Sequence, residues 1–171
     1  MKQRLKRIEL IVDYCVIGAA LAFVLSTGWF ALQFQHAQRS KGYAIEKGTK
    51  LTLPGQDWSK SRSTLVLVLS KNCRFCAASA PFYRRLISKD MRIQNTTFVA
   101  VFPQPPDESS EYLRRLGLDV ESVKQAPPLS LGVKATPALI LVDSHGLVVE
   151  SWLGQLPPEK EEEVIALIKQ Q

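Results

Sequence analysis

Metal-ligating and thiol residues are scarce in this chain. Three cysteines and two histidines are spread over 171 residues. Cys15, His36 and His145 fall at no ligand spacing from the remaining two cysteines, so a zinc site is the weakest reading of that pair. No internal repeat and no low-complexity tract is present, and the length suits one domain plus an extra segment. A basic surplus is also missing where nucleic-acid binding would need it. Residues 1–50 carry eight Lys/Arg against Glu9, Asp13 and Glu46, which accounts for +5 of the +6 net charge and leaves only +1 on the rest. Basicity confined to the flanks of an apolar segment reads as membrane topology and headgroup attraction, and nucleic acid is discounted as a partner.

Charge is absent altogether between Tyr14 and Phe34. As a helix those positions would span roughly 31 Å at about 1.5 Å per residue, enough to cross a bilayer. Lys2, Arg4, Lys6 and Arg7 precede the span and predict a cytoplasmic N-terminus, with everything after Gln35 on the outer side. Arg39, Lys41, Lys47 and Lys50 follow it and weaken that asymmetry. Cleavage after Ser26-Thr27-Gly28 is the alternative to a retained anchor, but Trp29, Phe30, Ala31 and Leu32 continue the apolar run beyond that point. The division is thus a basic N-terminus (1–13), a transmembrane anchor (14–34), a polar tether (35–48) and a folded domain (49–171).

Within the domain, Leu51 to Gly55 predicts a short edge strand and turn. Thr64 to Ser70 is an apolar run too short for a helix and reads as a central parallel strand buried on both faces. Cys76, Ala80, Tyr83 and Ile87 then recur at helical spacing, with a kink expected at Pro81. Thr96 to Phe102 is a second strand, Asp107 to Leu116 a helix, and Asp119 to Leu129 a loop. Ala138 to Val142 and Leu147 to Trp152 form a hairpin about an Asp143-Ser144-His145-Gly146 turn, and Pro157-Pro158 opens a last helix. The predicted class is α/β, a central mixed sheet with helices on both faces, preceded by one N-terminal transmembrane helix.

The chemistry centres on Cys73-Arg74-Phe75-Cys76. A thiolate is the nucleophile of disulfide exchange, and a helix N-terminus with Lys71 and Arg74 nearby is expected to favour one at Cys73. Cys76, one turn later and facing inward, is placed to resolve a mixed disulfide. A passive bridge is the plain alternative, yet one closing so small a loop stabilises little. Phe75, with little core to reach, is a candidate partner contact. His145 reads as an exposed turn residue, and Trp58 and Trp152 as core or rim aromatics.

These residues carry a resemblance. The cysteine pair at a strand-to-helix junction, Pro81 five positions on, and Gly132-Val133-Lys134-Ala135-Thr136-Pro137-Ala138 ahead of a hairpin with an Asp-x-x-Gly turn resemble the thioredoxin fold. Among its branches they are most similar to the membrane-anchored TlpA/ResA-type thiol-disulfide oxidoreductases, over about residues 45–171. The resemblance implies redox-active Cys73 and Cys76, a cis Pro137 against them, and Thr136, Pro137, Arg74 and Phe75 as substrate-binding residues. It implies protein thiol or disulfide substrates, a periplasmic or other extracytoplasmic domain, a transmembrane electron-relay partner, a reductase direction and no cofactor. The chain departs from the pattern at Asn72, where a Trp is usual, and at Arg74-Phe75, where a proline-containing dipeptide is common. Ser79 replaces a Glu, and no carboxylate lies on the strand before Cys73. Ser70 is similar to the hydroxyl ahead of a peroxiredoxin's cysteine, although Val66 stands where its proline belongs. A thiol peroxidase acting through Cys73 and a non-catalytic scaffold with a static disulfide are the competing expectations.

Overall fold

The computed structural model describes residues 45–88 and 96–170. The expected anchor at 14–34 lies outside them. Among the described residues no helix is long and apolar enough to cross a membrane. Five strands form one mixed sheet in the order β3-β2-β1-β4-β5. The fully buried run β1 (Ser63–Val68) holds its centre. It pairs in parallel with β2 (Thr96–Phe102) and antiparallel with β4 (Ala138–Asp143), the strand that turns back into β5 (Val148–Leu153). A run apolar at every position needs cover on both faces, and this central place supplies it.

The outer strand β3 (Ser122–Gln125) pairs in parallel with β2. Sequence pattern predicts loop there, because four partly exposed residues on an edge carry too little hydrophobic alternation to read as strand. The edge strand expected at Leu51 to Gly55 is instead a single antiparallel bridge between Lys50 and Leu147, with Leu51 and Leu53 turned into the core. The domain also begins before Thr49. Ile45 accepts a hydrogen bond from the Ser151 hydroxyl at 2.9 Å, and the Gly48 amide bonds the Val148 carbonyl at 2.7 Å, so the end of the expected tether is packed on β5.

Among the described residues the α-helices are α1 (Arg74–Ala78), α2 (Ala80–Ile87), α3 (Pro106–Arg115) and α4 (Pro158–Lys169). The helix predicted from the cysteines onward is broken at Ser79, two residues before Pro81, whose missing N–H cannot bond back to Ala77. Helices on both faces were the expectation, and the packing corrects it. Leu65, Leu67, Phe98, Ala100, Leu139 and Leu141 share one core with Cys76, Phe82, Tyr83, Tyr112, Leu113, Val164 and Ile168, so each helix contributes to the same side. The opposite core, built on Val66, Val68, Val99, Val101, Ile140 and Val142, is closed by Leu51, Leu53, Ala126, Leu131 and Val133 from extended and 3-10 segments. Two parallel crossovers that step the same way across a sheet, β1 to β2 and β2 to β3, place their helices on one face when both have the usual hand.

Candidate active site

The site forms where β1 ends. The chain turns at Ser70, whose carbonyl accepts the Cys73 amide at 3.1 Å, and Cys73 becomes the extended N-cap residue of α1. An N-cap side chain sits beside the free amides of the first turn. Here that side chain is a thiol, and its Sγ accepts the Cys76 N–H at 3.4 Å. Opposite lies the 133–137 loop, launched by Gly132 at the end of a 3-10 turn (Pro128–Leu131) with φ +76°, a left-handed conformation that glycine adopts without penalty. The Thr136–Pro137 peptide is cis, as the resemblance implies and as composition alone would not. The Thr136 carbonyl accepts the Cys73 thiol at 3.2 Å.

Both cysteines are free thiols, and they differ sharply in environment. Burial works against ionisation of the partly exposed Cys73. Hydrogen bonds to the Thr136 side chain, the Cys76 thiol and the backbone of Cys76 and Phe75 outweigh it, so its pKa falls below the ordinary thiol value. Cys76 is fully buried, and burial followed by its hydrogen bond to Cys73 pushes its pKa up to about 12. One thiol is therefore poised to attack and the other held protonated, the asymmetry that stepwise exchange needs.

Some expected contributors lie elsewhere. Lys71 is ion-paired with Glu108 of α3, and the Arg74 guanidinium lies 4.6 Å over the Phe75 ring. Neither cation is among the causes of the Cys73 shift, which are local hydrogen bonds. With α1 only five residues long, the benefit comes from individual N–H groups rather than from a long aligned helix. Phe75 is 44% exposed beside Cys73, as predicted. The Ser70 hydroxyl accepts from Gln104 Nε2 at 3.2 Å and the Asn72 amide at 3.4 Å, contacts that tie it to the loop rather than to Cys73. Ser79, at the position of the missing acid, is buried and donates to the Phe75 carbonyl at 2.9 Å. His145 is exposed in its turn, while Trp58 and Trp152 pack on opposite cores.

Sequence reasoning predicts the helix over Asp107 to Leu116 but not that its start and the segment ahead of it reach the cysteine loop. Gln104 and Glu108 follow β2 and reach Ser70 and Lys71, because β1 and β2 run parallel and their C-terminal ends lie together. The proline-rich stop at Pro103, Pro105 and Pro106 was the available signal that this segment reaches the cysteine loop. A groove of about 420 Å³ between α3 and β3, lined by Leu113, Gly117, Leu118 and Val123 among others, contains neither cysteine. Among the described residues no three His, Cys, Asp or Glu side chains gather as a metal site.

A βαβ unit and a β-hairpin with a closing helix, a cysteine pair at the first helix and a cis proline facing it define a thioredoxin-like fold. Solved structures of thiol-disulfide oxidoreductases share it. A protein described as thiol:disulfide interchange protein DsbE from Chlorobium tepidum is similar with a TM-score of 0.58 and 23% identity, over 74% of this chain and 99% of that one. The thioredoxin domain of a thiol-disulfide oxidoreductase from Bacteroides vulgatus is similar at 0.56 and 15%, over 72% and 97%. A thiol:disulfide interchange protein from Bacteroides sp. gives 0.53 and 17%, over 74% and 89%. At these identities the likeness is one of fold. No family model and no curated protein matches the chain.

Proposed function

We infer that the protein is a membrane-tethered thiol-disulfide oxidoreductase that exchanges disulfides with protein substrates through Cys73 and Cys76. One observation carries the reading. The sulfur of Cys73 sits at a helix N-cap, 3.4 Å from the Cys76 amide and facing the cis Thr136–Pro137 peptide, while Cys76 is buried one turn behind it. The Cys73 thiolate attacks one sulfur of a substrate disulfide and forms a mixed disulfide, and the other substrate sulfur leaves as a thiolate that takes up a proton. Cys76, after losing its proton, attacks the Cys73 sulfur, closes the Cys73–Cys76 disulfide and releases the second substrate thiol. The substrate gains two electrons, and the pair must be reduced again before the next turn. A transmembrane electron relay in the same membrane is the proposed source, with the span at 14–34 as anchor and the domain on the periplasmic or other extracytoplasmic side.

Dithiol-dependent reduction of insulin tests the chemistry: Cys73→Ser is expected to abolish it, and unchanged reduction sinks the reading. Expression of a Cys76→Ala variant in the native cell, followed by mass spectrometry of the trapped adducts, is expected to identify protein substrates joined through Cys73. For the direction, a reduction potential well below about −200 mV supports a reductase, whereas one near about −120 mV indicates an oxidant. Protease accessibility of the domain in intact spheroplasts checks the orientation, and a protected domain reverses it.

A further inference from the structure

The turn that carries Cys73 lies beyond the sheet. β1 ends at Val68, and one residue later the Leu69 amide still bonds the Val101 carbonyl of β2 at 2.9 Å. Ser70 to Cys73 then form a β-turn, closed by the Cys73 N–H on the Ser70 carbonyl at 3.1 Å, with Lys71 and Asn72 exposed at its centre. Within the turn the Asn72 N–H reaches back to the Ser70 hydroxyl at 3.4 Å. Cys73 is both the last residue of this turn and the N-cap of α1, so whatever fixes the turn fixes its sulfur.

Gln104 meets that turn from the end of the neighbouring strand. Its amide nitrogen donates to the Ser70 hydroxyl at 3.2 Å, and its amide oxygen accepts the Lys71 N–H at 3.5 Å. The Lys71 N–H can only donate, which orients the carboxamide, and Gln104 and Asn72 then occupy the two lone pairs of the Ser70 hydroxyl. A carboxylate could not donate to that hydroxyl, and an ammonium could not accept from that amide. The mount is stiff as well. Pro103 and Pro105 flank Gln104, and a residue ahead of a proline is biased to extended backbone. The fully buried Ser109 shares its hydroxyl hydrogen between the Pro105 carbonyl at 2.9 Å and the Gln104 carbonyl at 3.4 Å. A backbone set in this way lowers the entropy lost when a long side chain is held at its tip.

We propose that Gln104 is a positioning residue for Cys73: its carboxamide clasps Ser70 and Lys71 and holds the turn in the geometry that brings the Cys73 sulfur to the Cys76 amide. Gln104 acts through Ser70 and makes no hydrogen bond to either sulfur. The contact it protects is long. Cys73 Sγ accepts the Cys76 N–H at 3.4 Å and on its other side donates to the Thr136 carbonyl at 3.2 Å, so a small displacement of the turn weakens the amide contact. That contact is one of those that favour the Cys73 thiolate. Loss of the clasp therefore raises the Cys73 pKa and slows its first attack on a disulfide.

The inference rests on the exchange reading for its use, and one set of samples separates the two. The full chain in detergent carries Cys15→Ser so that only the pair reacts, and Gln104→Met is compared with it because methionine keeps the length and loses both hydrogen bonds. Alkylation of Cys73 by iodoacetamide is followed by mass spectrometry across pH. Gln104→Met is expected to move the Cys73 titration upward and to slow alkylation at neutral pH about threefold. A neutral hydrogen bond is worth up to about tenfold in an equilibrium, and only part of that passes through the turn. Ser70→Ala should shift the titration the same way, and in that background Gln104→Met should add less than about 1.5-fold, because the two act as one unit. Gln125→Met is the control for a loosened segment, since Gln125 bonds the Pro103 carbonyl at 3.3 Å, and its rate should match the parent. An unchanged titration in Gln104→Met or in Ser70→Ala overturns the proposal. So does equal slowing by Gln104→Met with and without the Ser70 hydroxyl, or equal slowing by Gln125→Met. Limiting dithiobis(nitrobenzoate) then tests exchange in the parent: attack by Cys73 releases a first thionitrobenzoate, and resolution by Cys76 releases a second. A parent that never gives the second release overturns the exchange reading, while the Cys73 titrations still decide the role of Gln104.

Discussion

Two ends of a single helical turn make the instructive comparison in this molecule. Cys73 and Cys76 are the same residue, three positions apart, and the fold pulls them in opposite directions. Cys73 sits at the rim, with amide donors beside it and the cis Thr136–Pro137 peptide across from it. Cys76 sits in the core among leucines, phenylalanines and tyrosines. Lowered ionisation energy at one sulfur and raised at the other follow from where one turn of backbone crosses the protein surface. A division of labour between nucleophile and resolver therefore needs no charged residue at either cysteine. It needs an N-cap, a short helix and a filled core behind it.

The largest break in that comparison comes from Cys76→Ser. Turnover with a disulfide substrate is expected to fall to the uncatalysed background, while alkylation of Cys73 persists and mixed disulfides accumulate on gels run without reductant. Turnover retained in this variant would show that the buried thiol does not resolve. Next in size is the difference in pH response. The Cys73 pKa lies below the ordinary thiol value, so its alkylation by iodoacetamide should rise with pH and level off early, because the thiolate fraction saturates once pH passes the pKa. Cys76, whose pKa is raised first of all by its burial, should still be rising throughout that range in a Cys73→Ser background, where the burial remains. Mass-spectrometric rates that level off together would erase the asymmetry.

Thr136→Val acts on the rim alone. It removes the side-chain hydrogen bond that favours the Cys73 thiolate and keeps the carbonyl that accepts the thiol. The pKa of Cys73 should rise, and its alkylation at neutral pH should slow about fivefold, the thiolate loss being partly offset by higher nucleophilicity. An unchanged rate would assign the effect to the amides of α1.

Legibility followed the same boundary between rim and core. The continuous apolar run of β1, the Asp143–Gly146 turn and the paired prolines before α4 each announce their element, because burial or backbone geometry restricts the residues that serve there. The cysteine pair and Thr136–Pro137 were readable as a site for the same reason. What escaped was set by tertiary placement. Strand β3 earns its hydrogen bonds from β2 and has no pattern of its own. The grouping of the four described α-helices on one face depends on the direction in which successive strands add to the sheet, a property no local window contains. Gln104 reaches the cysteine loop only because β1 and β2 end at the same edge.

Lys71 gives the smallest and most discriminating effect. Sequence proximity makes it a source of positive charge for Cys73, whereas the structure gives that charge to Glu108 across an exposed pair. Exposed pairs of this kind contribute roughly 0–1 kcal/mol, because water and salt screen both partners. Glu108→Gln releases Lys71 without removing it. Stability should then fall by less than about 1 kcal/mol in urea unfolding, and the rate of Cys73 alkylation at low salt should change by less than about twofold. The sign carries the information. A clear acceleration that vanishes in high salt would mean that Glu108 masks a cation the thiolate can feel, and the rim would then be tuned by charge as well as by hydrogen bonds. No acceleration leaves the N-cap geometry as the cause of the difference between the two thiols.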